Sequence, residues 1–349
     1  MTTSPLLQRP GAVATDAGDI AWHYGDPLGE QRYSVRGGVL FDQSNRDIVT
    51  VTGAERLTWL HQITTQHLLN FGPNTGTELM VLLPTGRIEH HARVFDDGTT
   101  TWLDTEPGAG AGLADFLIKM RFFTEVDIVV DTENWALLTA VGTDLNLDEP
   151  RFSPVPPPKY VAADVPSLST SEYPGGLHPD GTAGWKRRTD ALNAPTVDLL
   201  VPRADLEKTV DSLDLPLAGT WAHDGLRVAA KSLRVGIDTD EKTVPHEVPD
   251  LLIRAVHIDK GCYRGQETVA RVHNLGQPPR QAVLLHLDGT DEHPPQVGTD
   301  VKNGERTVGR VGTAIQHYEE GQIALALLKR KIASAPETKL TVGSQAAQQ

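Results

Sequence analysis

Cysteine is almost missing from this chain, which has one, Cys262, among 349 residues. A single thiol excludes an internal disulfide, and it excludes a metal or iron–sulfur site built only from cysteines of this chain. Proteins without disulfides are typical of reducing compartments, so the cytoplasm is the expected location.

Basic charge is scarce as well. The chain has 32 Lys and Arg against 46 Asp and Glu, which gives a formal net charge of −14 at pH 7. Nonspecific binding of DNA or RNA needs a broad basic surface. We therefore expect no direct nucleic-acid partner, although a local basic patch can still bind an anionic small molecule.

Long apolar runs are also lacking. The run at 80–83 is typical in length, and no run approaches the roughly 18 residues of a membrane-spanning helix. The first residues lack the basic stretch and apolar run of a signal peptide, so neither secretion nor a membrane partner is expected. The motifs GxxxxGK[ST], GxGxxG and GxSxG are absent, which disfavours phosphate-loop, dinucleotide and serine hydrolase sites.

The composition that remains is ordinary for a globular protein, with 39% hydrophobic and 22% charged residues. The length suits two or three domains. β-Branched residues at 47–53 predict a strand, and apolar spacing at 54–70 predicts an amphipathic helix or two short ones. Strand-like runs separated by Pro-Thr-Gly and Asp-Asp-Gly turns at 78–106 predict an antiparallel meander.

The same signals predict the remaining elements. The expected order is a loose arm at 1–19, a helix at 114–123, a strand at 124–132, loops at 142–184, a strand ending at Pro202, a helix with Asp205 as N-cap, a helix at 220–236 ended by Gly236, a small β-barrel at 281–330 and a frayed tail from Ser334.

The one cysteine lies in the motif DKGCYRGQE, residues 259–267. A lysine and an arginine stand two residues away on either side, and a helix is predicted to begin just after the thiol. Both features stabilise a thiolate, while the two glycines allow a close backbone approach. A buried, inert cysteine is the competing interpretation, and these residues alone do not decide between the two.

Thirteen histidines raise the question of a metal site. His90 and His91 are adjacent, so on a strand their side chains would face opposite ways. His246, His257 and His273 flank the cysteine motif without ligand spacing to a cysteine or a carboxylate pair. We predict no metal site.

The sequence KGCYRGQE resembles the signature of the YgfZ family, folate-binding proteins linked to iron–sulfur cluster assembly and repair. These proteins are related to the glycine-cleavage aminomethyltransferase, or T-protein. The flank at 267–281 resembles the actinobacterial branch. The resemblance covers most of the chain and extends to the segments 47–68, 82–95, 226–247, 297–301, 305–314 and 321–330.

The resemblance implies an α+β fold with three domains around a central hole, where the family binds tetrahydrofolate. The implied parts are a discontinuous N-terminal α+β domain at 20–50 plus 180–280, a second α+β domain at 51–150, a Pro/Gly-rich connection at 151–179 and a C-terminal β-barrel at 281–340.

The resemblance makes Cys262 the functional thiol, surrounded by the motif residues Lys260, Gly261, Tyr263, Gly265, Gln266 and Glu267. The implied cofactor is tetrahydrofolate or a folate derivative. Its pterin needs a paired donor–acceptor edge, which a carboxylate can meet, and its anionic tail needs Arg or Lys. The candidate folate contacts are Asp198, Arg87, Thr65, Gln66, Arg187, Glu247 and Arg271, with Lys186, Arg188 and Lys260 as further candidates for the tail.

The chain departs from its relatives at two acidic positions. The T-protein carries an Asp pair after a Gly-x-Ile turn, and here the matching place reads Glu89, His90 and His91. Within the segment 227–231, relatives carry an acid at the position where this chain has Ala229. Both departures change the carboxylates available to bind a pterin.

The resemblance implies a tetrahydrofolate-binding protein whose partners are iron–sulfur assembly or client proteins. Cys262 would then be one ligand of a cluster shared with a partner, or would form a transient mixed disulfide. Three alternatives stay open: a folate-dependent aminomethyltransferase using a carboxylate, a cysteine-nucleophile enzyme with His257 or His273 as base, and a scaffold without chemistry. Whether the protein is an enzyme is therefore undecided.

Overall fold

The structure is a computed structural model, and it describes residues 3–69, 71–143, 145, 173–178, 181–189 and 192–349. Its helices are α1 (Pro27–Gln31), α2 (Arg56–Ile63), α3 (Gly110–Met120), α4 (Leu206–Leu213), α5 (Thr220–Ala229), α6 (Pro249–Ala255), α7 (Gln266–Leu275) and α8 (Arg330–Ala333). Mixed with them are strands β1 (Val13–Ala14), β2 (Ala21–His23), β3 (Val39–Asp42), β4 (Asp47–Thr52), β5 (Thr75–Leu82), β6 (Ile88–Asp96), β7 (Thr100–Thr105), β8 (Asp127–Val130), β9 (Trp135–Val141), β10 (Tyr173–Leu177), β11 (Trp185–Thr189), β12 (Thr196–Pro202), β13 (Leu217–Ala218), β14 (Arg280–Leu287), β15 (Asp300–Asn303), β16 (Arg306–His317), β17 (Gly321–Lys329), β18 (Leu340–Val342) and β19 (Gln345–Gln348). The expected α+β class is confirmed.

An eleven-stranded sheet occupies most of the molecule, in the order β13-β3-β9-β12-β11-β10-β5-β6-β7-β4-β8. The predicted meander is confirmed, because β5, β6 and β7 pair antiparallel in chain order. Strand β10 pairs with β5 only through Tyr173 with Gly76 and Pro174 with Thr75. The sheet therefore consists of two halves that meet at β10.

Helices α2 and α3 cover one face of the half-sheet that runs from β5 to β8. Their side chains Trp59, Leu60 and Leu117 are buried against strand residues that include Val49 and Leu103. Each such side chain contributes roughly 1.5–3 kcal/mol of burial. Helix α2 ends at Ile63, well short of residue 70, because the chain turns there to pair with β5.

Helix α5 begins where the sequence predicts but ends at Ala229 instead of Gly236. The backbone turns at Lys231, which has a left-handed φ of 58°. The amide of Ser232 then donates to the carbonyl of Arg227 at 2.8 Å. The helix stops early because this turn carries the chain back across the mouth of a cavity described below.

The predicted strand that ends at Pro202 is confirmed as β12, and the helix after it as α4. Asp205 occupies the N-cap position of α4, but its side chain makes no capping hydrogen bond. The predicted loops at 142–184 contain β10 at 173–177. Most of the predicted connection at 151–179 lies outside the described residues, and the division into three domains stays a prediction.

The chain ends are more ordered than the sequence predicts. The expected loose arm was wrong for residues 3–19, because Leu6 is fully buried and the Ser4 hydroxyl donates to Asp42 at 2.5 Å. The expected frayed tail was also wrong. Strands β18 and β19 complete a closed barrel in the order β14-β17-β16-β15-β18-β19, which confirms the predicted C-terminal barrel and extends it to Gln348.

Among the described residues, no helix combines the length and the apolar content that crossing a membrane requires.

Leu340 tests the role of the tail in the barrel. Its side chain is 2% exposed within the barrel core. We expect Leu340→Ala to lower the free energy of unfolding by about 2–5 kcal/mol, because it leaves a cavity in this core. Urea unfolding measures the loss, and Glu337→Ala, an exposed neighbour, is the control. Equal stability of the two variants would show that the tail does not support the barrel.

Candidate functional site

A cavity of about 90 Å³ lies where the two half-sheets face α5. By the rule of roughly 10–15 Å³ per water, it has room for about six waters or for one flat bicyclic ring. It adjoins a wider, open basin of about 890 Å³. The residues that line both spaces are Asn45, Glu106, Pro107, Thr220, Asp224 and Arg234.

Helix α5 supplies one wall of this central cavity. Thr220, His223, Asp224 and Arg227 all line it. Their spacing of i, i+3, i+4 and i+7 places them on one face of the helix. Burial lowers the pKa of His223 to about 4, so its imidazole is neutral at neutral pH and can accept or donate a hydrogen bond.

Glu106 forms the neck between the central cavity and the basin. It pairs with Arg46 at 2.8 Å and with Arg234 at 2.6 Å. Burial raises the pKa of Glu106, but the two guanidinium groups outweigh burial and hold that pKa well below its ordinary value. The neck is therefore one carboxylate held between two guanidinium groups.

A buried ion cluster lies behind the cavity wall. Arg187 donates to Asp104 at 2.7 Å and to Asp198 at 2.8 Å, and all three side chains are fully buried. Arg93, which lines the cavity, approaches the same two carboxylates at 2.9 and 3.3 Å. Burial raises the pKa of Asp104, but Arg93, Arg187 and Arg46 outweigh it and hold that pKa low. The structure thus brings Asp198 and Arg187 together as partners of each other behind the lining.

Thr189 offers an unused polar group inside the cavity. Its residue is 2% exposed, and its hydroxyl has no hydrogen-bond partner among the described residues. Buried hydroxyl groups almost always have a partner. An unpaired hydroxyl in a cavity wall is therefore a contact available to a ligand.

His91 also lines the cavity, whereas Glu89 of the same segment does not. Glu89 is exposed and pairs with Arg264 of the cysteine motif at 2.9 Å. The resemblance placed Glu89, His90 and His91 where the T-protein carries its Asp pair, and His91 was not among the predicted site residues. Alternation along β6 would have grouped His91 with Arg93 on one face.

The cysteine motif forms the loop between α6 and α7, and α7 begins at Gln266 as predicted. Gly265 has a φ of 81°, and a Cβ atom there would lie 2.5 Å from the carbonyl oxygen of Leu83. A Cβ atom on Gly86 would lie 2.4 Å from Thr268. The two glycines thus let the motif pack directly on the turn between β5 and β6. Cys262 is exposed on this loop.

Lys260 fastens the loop to the end of α2. Its ammonium donates to the carbonyl oxygens of Thr64 at 2.6 Å, Gln66 at 3.0 Å and His61. It also lies 5.2 Å from the ring centroid of Tyr263. Burial lowers the pKa of Lys260 to about 7. This lysine therefore satisfies helix-end carbonyls, and it does not line the central cavity.

Thr65 and Gln66 join β5 to the end of α6. The Thr65 hydroxyl donates to the carbonyl of Ala255 at 2.6 Å, and the Gln66 amide donates to the carbonyls of Arg254 and Glu78 at 3.0 and 2.9 Å. These two residues meet Lys260 at one corner of the molecule. The structure brings them together with the cysteine motif and away from the cavity.

The other predicted site residues lie elsewhere. Glu247 is buried and accepts from Arg280 at 2.8 Å. Arg87, Glu267 and Arg271 are exposed. Tyr263 is buried in an apolar cluster, Gln266 donates to the Lys260 carbonyl at 3.2 Å, and Gly261 is exposed beside the thiol. None of them lines the central cavity.

The variant Lys260→Met tests whether the Lys260 ammonium is buried, through the pH dependence of the free energy of unfolding. The folded pKa of about 7 lies below the ordinary 10.4 or so of an unfolded lysine. Between these values the unfolded chain holds one more proton, so the free energy of unfolding rises with pH. We expect the stability of the wild type relative to Lys260→Met to grow from about pH 7 to about pH 10.

Urea unfolding across that pH range measures the difference. Lys242→Met removes an exposed lysine and is the matched control, for which the difference should stay constant. A constant or falling difference for Lys260→Met would contradict the assigned burial of the ammonium.

Comparison with known proteins supports the fold. No protein-family model matches the chain. A chloroplastic protein of Arabidopsis thaliana named as a transferase is 22% identical over 340 residues, covering 88% of this chain and 68% of that protein. The tRNA-modifying protein YgfZ of Buchnera aphidicola subsp. Schizaphis graminum is 34% identical over 99 residues, covering 27% of this chain and 30% of that protein.

The crystal structure of the glycine cleavage system aminomethyltransferase T from Bartonella henselae matches with a TM-score of 0.81. The match covers 98% of this chain and 94% of that one at 17% identity, so it establishes the fold. The chain therefore has the fold of the aminomethyltransferase T-protein, and 27% of it is similar in sequence to YgfZ.

Proposed function

We propose that the chain binds tetrahydrofolate in the central cavity and supports iron–sulfur cluster assembly or repair through Cys262. The observation that carries the folate part is the unpaired Thr189 hydroxyl in the wall of the central cavity. Its location between the half-sheets and α5, in a T-protein-like fold, supports the same assignment.

The lining residues fit a folate. A pterin presents two adjacent hydrogen-bond donors, which a carboxylate such as Glu106 or Asp224 accepts as a pair. The inner cavity has room for the flat ring system, and the basin has room for the rest of the molecule. Arg234 lines both spaces and is placed to meet an anionic tail. Bound folate would be oriented by these groups and shielded from water by the half-sheets.

Cys262 has a separate task in this proposal. It is exposed, it does not line the cavity, and its loop is fastened by Lys260. An exposed thiol on a fixed loop can reach a protein partner. We propose that it becomes one ligand of an iron–sulfur cluster shared with that partner, or that it forms a transient mixed disulfide with it. The single cysteine supports a reducing compartment, the cytoplasm.

Calorimetric titration with tetrahydrofolate tests the cavity. We expect the wild type and Cys262→Ser to bind equally, because the thiol lies outside the cavity. Thr189→Val keeps the side-chain shape and removes the hydroxyl, so it should weaken binding about three- to tenfold. Absence of binding to the wild type would overturn the folate assignment, and a loss confined to Cys262→Ser would place the ligand at the thiol.

Complementation tests the thiol. In a strain that lacks its own protein of this type, the wild type should restore the activity of an iron–sulfur enzyme and Cys262→Ser should not. Glu337→Gln, an exposed change outside the motif and the cavity, is the control and should complement. Full complementation by Cys262→Ser would remove the thiol role and favour a scaffold.

A further inference from the structure

A histidine–carboxylate pair faces the central cavity. His91 Nε2 lies 2.8 Å from Oε2 of Glu78, which is fully buried on β5. The other oxygen of Glu78 contacts the guanidinium of Arg254, which Asp250 also holds at 2.7 Å. The Thr105 hydroxyl donates to the carbonyl of His91 at 2.7 Å. Both the ring and the backbone of His91 are therefore fixed.

This arrangement selects one tautomer of His91. An ionised carboxylate only accepts hydrogen bonds, so the hydrogen lies on Nε2 and points to Glu78. In the neutral ring Nδ1 then carries the lone pair, and no hydrogen bond to Nδ1 is found among the described residues. Since His91 lines the cavity, this nitrogen is the acceptor that its ring can offer a ligand there.

A single acceptor discriminates between the redox forms of a pterin. In a reduced pterin the two nitrogens of the pyrazine ring carry hydrogen, and in an oxidised pterin they carry lone pairs. The pyrimidine ring of the pterin has two adjacent donors in both forms. A carboxylate, such as Glu106 or Asp224, pairs with two adjacent donors better than a single imidazole nitrogen does. The His91 acceptor therefore matches a pyrazine N–H and opposes an oxidised ring.

We propose that His91, held in one tautomer by Glu78, is the specificity-determining residue that makes the cavity prefer a reduced pterin over an oxidised one. This inference rests on the proposed folate function and names the residue and the form of ligand. With an oxidised pterin, Nδ1 of His91 and a pyrazine nitrogen are both acceptors, and both stay unpaired. The Kd for the oxidised form should therefore be about tenfold to a hundredfold higher than the Kd for the reduced form.

Calorimetry with tetrahydrofolate and with folic acid tests the proposal. The ratio of the two Kd values should favour tetrahydrofolate for the wild type. In Glu78→Gln the new amide can donate to Nε2, which places the hydrogen on Nδ1, so the ratio should fall at least tenfold. His91→Leu removes the acceptor and leaves the Arg254 contact of Glu78 in place, so it should lower the ratio even if the first variant folds poorly.

Glu89→Gln is the matched control, because Glu89 belongs to the same segment and lies outside the cavity. Its ratio should equal that of the wild type. Nitrogen-15 NMR of labelled histidine should find His91 protonated on Nε2 and unprotonated on Nδ1 in the wild type. A proton on Nδ1, or an unchanged ratio of the two Kd values in His91→Leu, would overturn this inference and leave the proposed folate function standing. Failure of the wild type to bind either form would overturn the proposed function as well.

Discussion

Arg187 holds the molecule together at the point where its two half-sheets meet. Its guanidinium joins Asp104 of one half-sheet to Asp198 of the other, and Arg93 bridges the same pair of carboxylates. Removal of one member of such a buried group costs about 3–5 kcal/mol, because it leaves a charge unpaired. Strand β10 adds only a short pairing across the same junction. The cluster thus links the two half-sheets directly behind the cavity wall.

The corner between β5 and α6 connects that cavity to the thiol loop. The carbonyl of Arg254 accepts from Gln66, whose own carbonyl accepts from Lys260 beside the thiol. The side chain of Arg254 meanwhile holds Glu78, which orients His91 in the cavity wall. The end of α6 therefore supports both the cavity wall at His91 and the loop that carries Cys262.

Sequence reasoning located elements and motifs that depend on local signals. The start of α7, the meander and the barrel follow from glycines, turns and alternation. Sequence reasoning failed where the structure depends on partners that lie far apart in the chain. Nothing local shows that Asp198 and Arg187 neutralise each other, since their register across β11 and β12 sets that pairing. The closing strands of the barrel were missed for the same reason, because their partners lie elsewhere in the chain.

The departure at Ala229 is explained by where α5 places it. Ala229 packs against the apolar cluster that contains Val228 and Leu251, and it does not line the cavity. An ionised acid at that position would face buried apolar side chains at a considerable cost. Asp224, five residues earlier, lines the cavity with the pKa of its carboxyl lowered, since Arg227 and Arg234 outweigh the opposing effect of burial. The carboxylate that α5 presents to the cavity therefore lies on the other face of this helix, at Asp224.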